Sequence, residues 1–172
     1  EHLLEAVFGP ERLKKTAYRL REGMAPVKEL CFVAYEVEAL RASLRFWQVQ
    51  IRTRKNGEPV VPALLLGPLA VDPDRRGRNI GIELMQYGLK RARALGHKIV
   101  ILVGDLDYYS RVGFSRDLAT GLRLPGPVDP NRLLALELEV DAMNGVVGFV
   151  EKWQGADLAA GVDDLPMQSG GA

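Results

Sequence analysis

The stretch Leu69-Ala-Val-Asp-Pro-Asp-Arg-Arg-Gly-Arg-Asn-Ile-Gly81 connects an apolar run to an amphipathic segment that extends from Ile82 to Leu95. Its first residues are apolar, as in a strand, and the apolar spacing after Gly81 is typical of a helix. Arginines and glycines fill the turn between them, where the first N–H groups of the helix lack backbone partners. The stretch therefore predicts a strand, an anion-binding turn and a helix, with a diphosphate-bearing cofactor as the favoured ligand.

The composition bounds the class of protein. The chain has 172 residues, of which 47% are hydrophobic, and this is enough for one domain with a core. With 23 basic and 22 acidic residues the net charge is +1, so we expect no nucleic-acid partner. No apolar run reaches the roughly 18 residues of a membrane span, and the first residues lack a signal-peptide pattern. We therefore expect a cytoplasmic protein without a membrane partner.

Three antiparallel strands are predicted before the turn. Residues 30–37 and 43–53 are rich in Val, Phe, Tyr, Trp and Ile, which favour strands. Asn56-Gly57 is a strong hairpin signal, and it connects the second strand to the apolar run Val60–Val71. Gly67-Pro68 interrupts that third run, and proline cannot donate to a strand ladder. We therefore expect a bulge or splay there, which leaves backbone groups free for a ligand.

The flanking segments complete a mixed sheet. Leu3–Gly23 predicts two short helices that are broken at Gly9-Pro10. Ile99–Val103 is apolar on both faces, which favours a central strand parallel to the strand before the main helix. A short helix over Leu106–Val112 and an antiparallel strand over residues 134–140 follow. The predicted class is α+β, an antiparallel meander followed by one βαβ unit with a splayed, bulged central strand.

The predicted main helix, Ile82–Leu95, is amphipathic and ends at Gly96, which suits the left-handed position after a helix. Its buried face is expected to carry Gly81, Leu84, Met85, Gly88, Ala92 and Leu95. Cys31 lies in an apolar run, so a buried core residue is favoured over a reactive thiol. His2 and His97 have no metal-type partners nearby in sequence, so no metal site is expected.

The turn and its surroundings resemble the GNAT superfamily of N-acetyltransferases. In that family the coenzyme A turn reads Arg/Gln-x-x-Gly-x-Gly/Ala at the start of the main helix, and Arg76–Gly81 overlays it. The runs Leu66–Pro73 and Val103–Phe114 resemble a bacterial branch of acetyltransferases with undefined substrates. The P-loop and the GxGxxG pattern are both absent from the turn, which excludes two other phosphate-binding motifs. The resemblance covers roughly residues 3–141.

The resemblance implies an acetyl-CoA-dependent N-acetyltransferase with a fold of that family. The acceptor would be a primary amine on an unidentified small molecule or peptide, and a homodimer is compatible with it. The backbone of Leu69, Ala70 and Val71 would pair with the pantetheine arm as an added strand. The pyrophosphate would be held by the turn, through Arg76, Gly77, Arg78, Asn79, Ile80 and Gly81. Neighbouring Arg75 is either a further ligand or a solvated charge.

The same resemblance implies a catalytic acid. Tyr109 occupies the Tyr-x-x-x-Gly-Phe position, which in the family presents a phenol to the coenzyme sulfur. Its ordinary pKa of about 10 would keep the phenol protonated at neutral pH. The alternative is a half-buried packing tyrosine. Tyr108 would contact the pantetheine or pack, and Asp105 would cap the short helix or orient the ligands, with capping slightly favoured. For a general base, the candidates are Glu36, Glu38, Asp107 and ordered water.

The sequence departs from the family pattern at two places. Asn79 replaces the middle glycine of the turn, where the backbone normally approaches the pyrophosphate closely. Asparagine tolerates unusual φ angles, and its side chain is suited to capping the helix or donating to a phosphate, so coenzyme binding is expected to be retained in an altered form. The given sequence lacks the strand that the family places before its first helix. We therefore expect that a segment which precedes Glu1 is not included in this sequence. One domain over 1–154 and a disordered tail over 155–172 are predicted.

Two classes of function follow. The first is the enzyme, in which a bound amine attacks the thioester directly, without a covalent intermediate at Cys31. The second is a catalytically weak or inactive module that binds acetyl-CoA as a sensor, and Asn79 is the residue that favours it. A structural protein without any cofactor is a third and less favoured hypothesis.

Overall fold

The computed structural model describes residues 1–53 and 59–155. Four α-helices and seven β-strands make up this part of the chain: α1 His2–Phe8, α2 Thr16–Arg19, β1 Cys31–Glu36, β2 Ala39–Thr53, β3 Val61–Val71, α3 Ile80–Ala94, β4 Ile99–Val103, α4 Leu106–Tyr109, β5 Leu122–Arg123, β6 Leu133–Glu137 and β7 Gly148–Lys152. Short 3₁₀ turns connect several of them, including Pro10–Lys14 and Ser110–Val112. Within these residues no helix has the length and apolarity that a bilayer span requires.

The strands form one mixed sheet with the order β5-β7-β2-β3-β4-β6, and β1 also pairs with β2. β1, β2 and β3 are antiparallel, which confirms the meander, and α3 connects β3 to the parallel strand β4. The β1–β2 hairpin turns at Val37, whose φ of 57° is unusual for a β-branched residue. The expected Asn56-Gly57 turn lies outside the described residues, as do residues 156–172 of the expected tail.

β3 carries the expected bulge. Leu44 pairs with Leu69 and Phe46 pairs with Leu66, so Gly67 and Pro68 together face a single residue of β2. Gly67 has a φ of 125°, which glycine adopts readily because it lacks a side chain. The indole Nε1 of Trp47 donates to the Gly67 carbonyl at 2.6 Å, so the displaced backbone oxygen of the bulge is satisfied inside the core.

β3 and β4 separate directly before this bulge. Their parallel pairing is limited to Leu64 with Val100 and Leu65 with Ile101. Beyond that point β4 remains paired with β6 as far as Val103, and β3 remains paired with β2 as far as Val71. A wedge-shaped gap therefore opens between two strands that are each held firmly on their other side.

The hydrogen-bond register of β3 determines which backbone groups face the gap. The Asp72 N–H donates to the Arg41 carbonyl at 2.7 Å, so Asp72 points its backbone groups toward β2. Because backbone direction alternates along a strand, Ala70 also points toward β2, while Leu69 and Val71 point their N–H and C=O groups into the gap. In the described part of the chain no strand pairs with this edge.

Helix α3 packs against one face of the sheet. Met85 and Ala92 are fully buried, and a Cβ placed on Gly88 would lie 2.9 Å from the ring of Phe46, so glycine allows close approach of helix and sheet. The helix begins at Ile80, two residues before the predicted start, and Gly96 takes the expected left-handed conformation with a φ of 88°. Leu95 was expected on the buried face and this is wrong, because it lies past the last helical residue and is 41% exposed.

Two other expectations differ from the structure, and one strand was missed. Cys31 is exposed rather than buried, because β1 lies at the margin of the sheet and the residue begins that strand. The strand expected over 134–140 ends at Glu137, and Val140 is exposed. β7 was not predicted, and it pairs with the last residues of β2 from Val49 to Thr53.

Candidate active site

A cleft of about 400 Å³ lies at the open end of the β3–β4 gap. Three predicted segments meet there: the β3 edge, the turn before α3, and α4. The predicted site residues that line it are Leu69, Val71, Arg76, Gly77, Asn79, Ile80, Gly81 and Tyr109. The other two predicted residues, Ala70 and Arg78, do not line the cleft. Ala70 is fully buried in the core, and the Arg78 side chain is 61% exposed.

The arginines of the turn differ in their ion pairs. Arg75 donates from Nε to the Glu36 carboxylate, and Arg78 Nη1 lies 4.0 Å from the same carboxylate. The hydrogen bond from Arg75 lowers the pKa of Glu36 below its ordinary value, so this carboxylate stays ionised. Arg76 is exposed and has no ion pair with any residue described here. Arg76 is therefore the cation of the turn that is available to an anionic ligand.

A second set of contacts fixes the start of the turn. The Asp72 carboxylate accepts from the backbone N–H of Asp74 at 3.0 Å and from Arg41 Nη1 at 2.6 Å. Gly77 has a φ of 83°, a backbone conformation that favours glycine, and the space where its side chain would lie is open. The turn is thus anchored to β2 at one end and leaves Gly77 uncovered.

Asn79 adopts the left-handed conformation, with φ 60° and ψ 11°. This explains why the family pattern has glycine here, and asparagine is among the residues that tolerate this region best. The interpretation of Asn79 as a side-chain cap is wrong, because it makes no capping hydrogen bond. Its Oδ1 instead accepts from Arg111 Nη2 at 2.7 Å. This contact brings Arg111 to the cleft lining, and sequence reasoning missed it.

Tyr109 is fixed by packing and lines the cleft from α4. Its ring meets Phe114 edge-on at 6.2 Å and Tyr108 edge-on at 5.0 Å. A Cβ on Gly104 would lie 2.3 Å from the Tyr109 ring, so the residue after β4 has to be glycine for the ring to occupy this position. The phenol oxygen has no hydrogen-bond partner among residues 1–53 and 59–155. Burial raises the pKa of Tyr109 to about 12, which keeps the phenol protonated at neutral pH.

Tyr108 covers the first turn of α3. A Cβ on Gly81 would lie 2.4 Å from the Tyr108 hydroxyl and 3.0 Å from Val71, so this turn has no room for a side chain. Burial raises the pKa of the Tyr108 phenol. The glycine at position 81 therefore allows β3, α3 and α4 to meet at one corner of the cleft.

A second cavity, of about 440 Å³, adjoins the cleft. Both cavities are lined by Phe8, Leu69, Asp105, Tyr108 and Tyr109. The second extends between α2 and the β3 bulge, and reaches the loop at residues 127–132. Tyr109 therefore borders both cavities.

The carboxylates that sequence analysis offered as bases lie elsewhere. Glu36 pairs with Arg75, and Glu36, Glu38 and Asp107 line neither cavity. Asp105 does line both, but the expected cap is wrong because its side chain makes no capping hydrogen bond. Asp105 instead lies 3.5 Å from Arg132. Asp129 lines the second cavity, and its carboxylate accepts from the backbone N–H of Asn131 but has no ion pair in the described part of the chain.

Comparisons of the sequence and of the structure with known proteins all indicate the same family. Residues 2–116 match the family model described as an acetyltransferase (GNAT) domain. The uncharacterized N-acetyltransferase YhbS of Escherichia coli K12 is 36% identical over 86 residues, which is 50% of this chain and 52% of that protein. The chain thus spans about half the length of the curated relatives it matches.

Two solved structures extend the similarity to the fold. The GNAT family N-acetyltransferase YhbS from Escherichia coli, in complex with CoA, has a TM-score of 0.71 at 29% identity, covering 88% of this chain and 81% of that one. A GNAT family acetyltransferase from Brucella melitensis, in complex with acetyl-CoA, has a TM-score of 0.56 at 26% identity, covering 86% of this chain and 79% of the other.

Proposed function

Because the chain belongs to the GNAT family of acetyltransferases, we propose that it transfers the acetyl group of acetyl-CoA to a primary amine. One observation carries the proposal: the β3 edge, the Tyr109 phenol and Arg76, which has no ion pair with any described residue, all line one cleft. A solved relative binds CoA and another binds acetyl-CoA, which supports the same ligand class here.

The cleft suits the chemistry of an acylated coenzyme A. The pantetheine arm is an extended chain with two amides, and the free groups of Leu69 and Val71 would pair with it as an added strand. The first N–H groups of α3 and the Arg76 guanidinium would hold the pyrophosphate, and each charge-assisted bond contributes on the order of 1.5–3 kcal/mol. Arg111, positioned by Asn79, would add a second cation at the same end.

Tyr109 would supply the proton that the reaction requires. The neutral amine nitrogen attacks the thioester carbonyl carbon, the C–N bond forms, and the C–S bond then breaks to release a thiolate. The Tyr109 phenol donates its proton to this sulfur. The nitrogen loses one proton to water, and solvent returns a proton to the phenolate. Because Glu36, Glu38 and Asp107 line neither cavity, ordered water is the proposed acceptor for the amine proton.

The test pairs binding with turnover. Calorimetric titration with acetyl-CoA is expected to give saturable binding, and a panel of primary amines is expected to release free thiol only in the presence of both protein and amine. Tight binding without thiol release across the panel would contradict the enzyme and favour a coenzyme sensor. Lack of saturable binding would contradict both, because each requires the cleft to hold the coenzyme.

A further inference from the structure

Arg21 lines the second cavity, two residues after the end of α2 and against the β3 bulge. Its guanidinium lies 5.1 Å from the centre of the Tyr18 ring and 6.0 Å from that of Trp47. A Cβ on Gly67 would be 2.8 Å from Arg21 Nη2, so the guanidinium touches the bulge itself. Aromatic rings and bent backbone therefore fix the position of this cation.

The charge of Arg21 has no counterion among the described residues. Its Nε is inaccessible to solvent and has no hydrogen-bond partner. Burial lowers the pKa of Arg21 to about 10. This value is well above neutral pH, so the side chain carries its charge there. Arg21 is half-buried, so its charge is poorly hydrated and unfavourable without a counterion. An anionic group of a ligand at its Nη atoms, which are not inaccessible as Nε is, would reduce that cost.

The other cations of this cavity either have counterions or are exposed to solvent. Arg12 pairs with Glu5 and also with Glu1, at 3.2 Å from the latter, and Arg132 pairs with Asp105. Lys15 is exposed, with its Nζ 5.8 Å from the centre of the Phe8 ring. Arg21 is therefore the half-buried cation of the cavity that has no counterion and that a ligand would satisfy.

Tyr18 provides a second polar group beside Arg21. Its hydroxyl oxygen accepts from Arg12 Nε at 2.9 Å, which leaves its own proton available to donate. A carboxylate bound to the guanidinium would have a phenol donor at its edge. Guanidinium and carboxylate have matching planar geometry, and two parallel hydrogen bonds are their preferred contact.

We propose that the acceptor is an amino-carboxylate, such as an amino acid or a short peptide, whose carboxylate binds Arg21. This inference rests on the proposed function. Arg21 and Tyr109 line the same cavity, so a single small molecule would place its carboxylate on Arg21 and its amine beside the thioester. Arg21 is then a specificity residue, which selects the acceptor and takes no part in proton transfer.

The test compares amino-carboxylates with their primary amides, which have nearly the same shape and no negative charge. The panel includes glycine, β-alanine and γ-aminobutyrate, which differ in the distance between amine and carboxylate. For the preferred spacing, wild-type kcat/KM from thiol release is expected to be about 30-fold or more higher for the carboxylate than for the amide. Arg21→Met is expected to bring the two within about threefold, and Arg21→Lys to restore part of the preference.

Two controls separate this effect from misfolding. Arg19→Met removes a neighbouring exposed arginine that lines neither cavity, and it is expected to keep the carboxylate preference. Arg21→Met is expected to bind acetyl-CoA with wild-type affinity and to unfold at a denaturant concentration no lower than wild type, because it removes a half-buried charge that has no counterion. Equal use of carboxylates and amides by the wild type would overturn the proposal, as would an unchanged preference in Arg21→Met.

A binding measurement keeps the test independent of catalysis. Protein saturated with CoA is titrated with the same carboxylates and amides, and wild type is expected to bind the carboxylate selectively while Arg21→Met does not. Selective binding without thiol release from acetyl-CoA would contradict the proposed transfer but support the carboxylate site. Thiol release without any carboxylate preference would support the transfer and overturn the site.

Discussion

Tyr109→Phe is expected to lower kcat for acetyl transfer by about 10²–10³-fold and to leave the dissociation constant of acetyl-CoA within about twofold of wild type. The phenol is proposed to act on the sulfur only as the C–S bond breaks. Phenylalanine keeps the ring contacts with Phe114 and Gly104 that fix this position. The loss therefore falls on the chemical step, and a thiol-release assay together with calorimetry separates it from binding.

The dependence on pH follows from the same residue. Burial raises the pKa of Tyr109 to about 12, so the acid form persists through the neutral and mildly alkaline range. The wild-type rate should rise with pH as the acceptor amine loses its proton, with no fall attributable to Tyr109 below about pH 11. Such a profile is what a protonated acid and a neutral nucleophile require together.

Tyr108→Phe is the matched control, since it removes the neighbouring phenol that covers Gly81. We expect its kcat to fall by less than about fivefold, because its hydroxyl packs on the first turn of α3. If Tyr109→Phe retained wild-type kcat, Tyr109 would be a packing residue. A larger loss in Tyr108→Phe would move the acid to the adjacent position.

Arg76→Glu is expected to weaken acetyl-CoA binding by about 100-fold or more, because it removes a charge-assisted contact and adds a repulsive charge beside the pyrophosphate. Arg75 and Arg78 cannot replace it fully, since both are near the Glu36 carboxylate. The loss should shrink as ionic strength rises, because screening weakens the repulsion. Calorimetric titration at two salt concentrations measures both effects.

The acyl donor itself provides a control for Arg76. Acetyl-pantetheine lacks the pyrophosphate, so its binding should change by less than about twofold in Arg76→Glu. Arg91→Glu makes the same charge change on an exposed position of α3 that does not line the cleft, and acetyl-CoA should bind it nearly as tightly as wild type. Equal weakening of both donors would show that Arg76→Glu disturbs the cleft in general.

The local patterns of the sequence were sufficient for the fold of the central unit. Gly67-Pro68 predicted the bulge because a residue without N–H cannot continue a ladder, and the apolar run Ile99–Val103 predicted a central strand. β7 could not be predicted in this way, since it is a short strand of mixed polarity whose position depends on pairing with β2 across about a hundred residues of chain. Register between distant strands is set by packing and not by local pattern.

Part of the candidate site was predictable from the sequence and part was not. The turn and Tyr109 each belong to a contiguous sequence motif, so the sequence predicted most of the cleft lining. Arg21 and Arg111 reach the two cavities only because tertiary packing brings them there. Arg21 reaches the β3 bulge from the segment after α2, and Arg111 reaches the cleft through a contact with Asn79. Arg111 follows Tyr108 by three residues, a spacing that places both on one side of a helical turn and was the available signal.

Amide hydrogen exchange along β3 tests most directly whether the β3–β4 gap holds the coenzyme. In the free protein the amides of Leu69 and Val71 should exchange rapidly, while those of Ala70 and Asp72, which face β2, should be protected. At CoA concentrations about 100 times the dissociation constant, exchange at Leu69 and Val71 should slow by about 100-fold or more, with little change at Ala70. Saturable CoA binding that leaves exchange at Leu69 and Val71 unchanged would contradict the account.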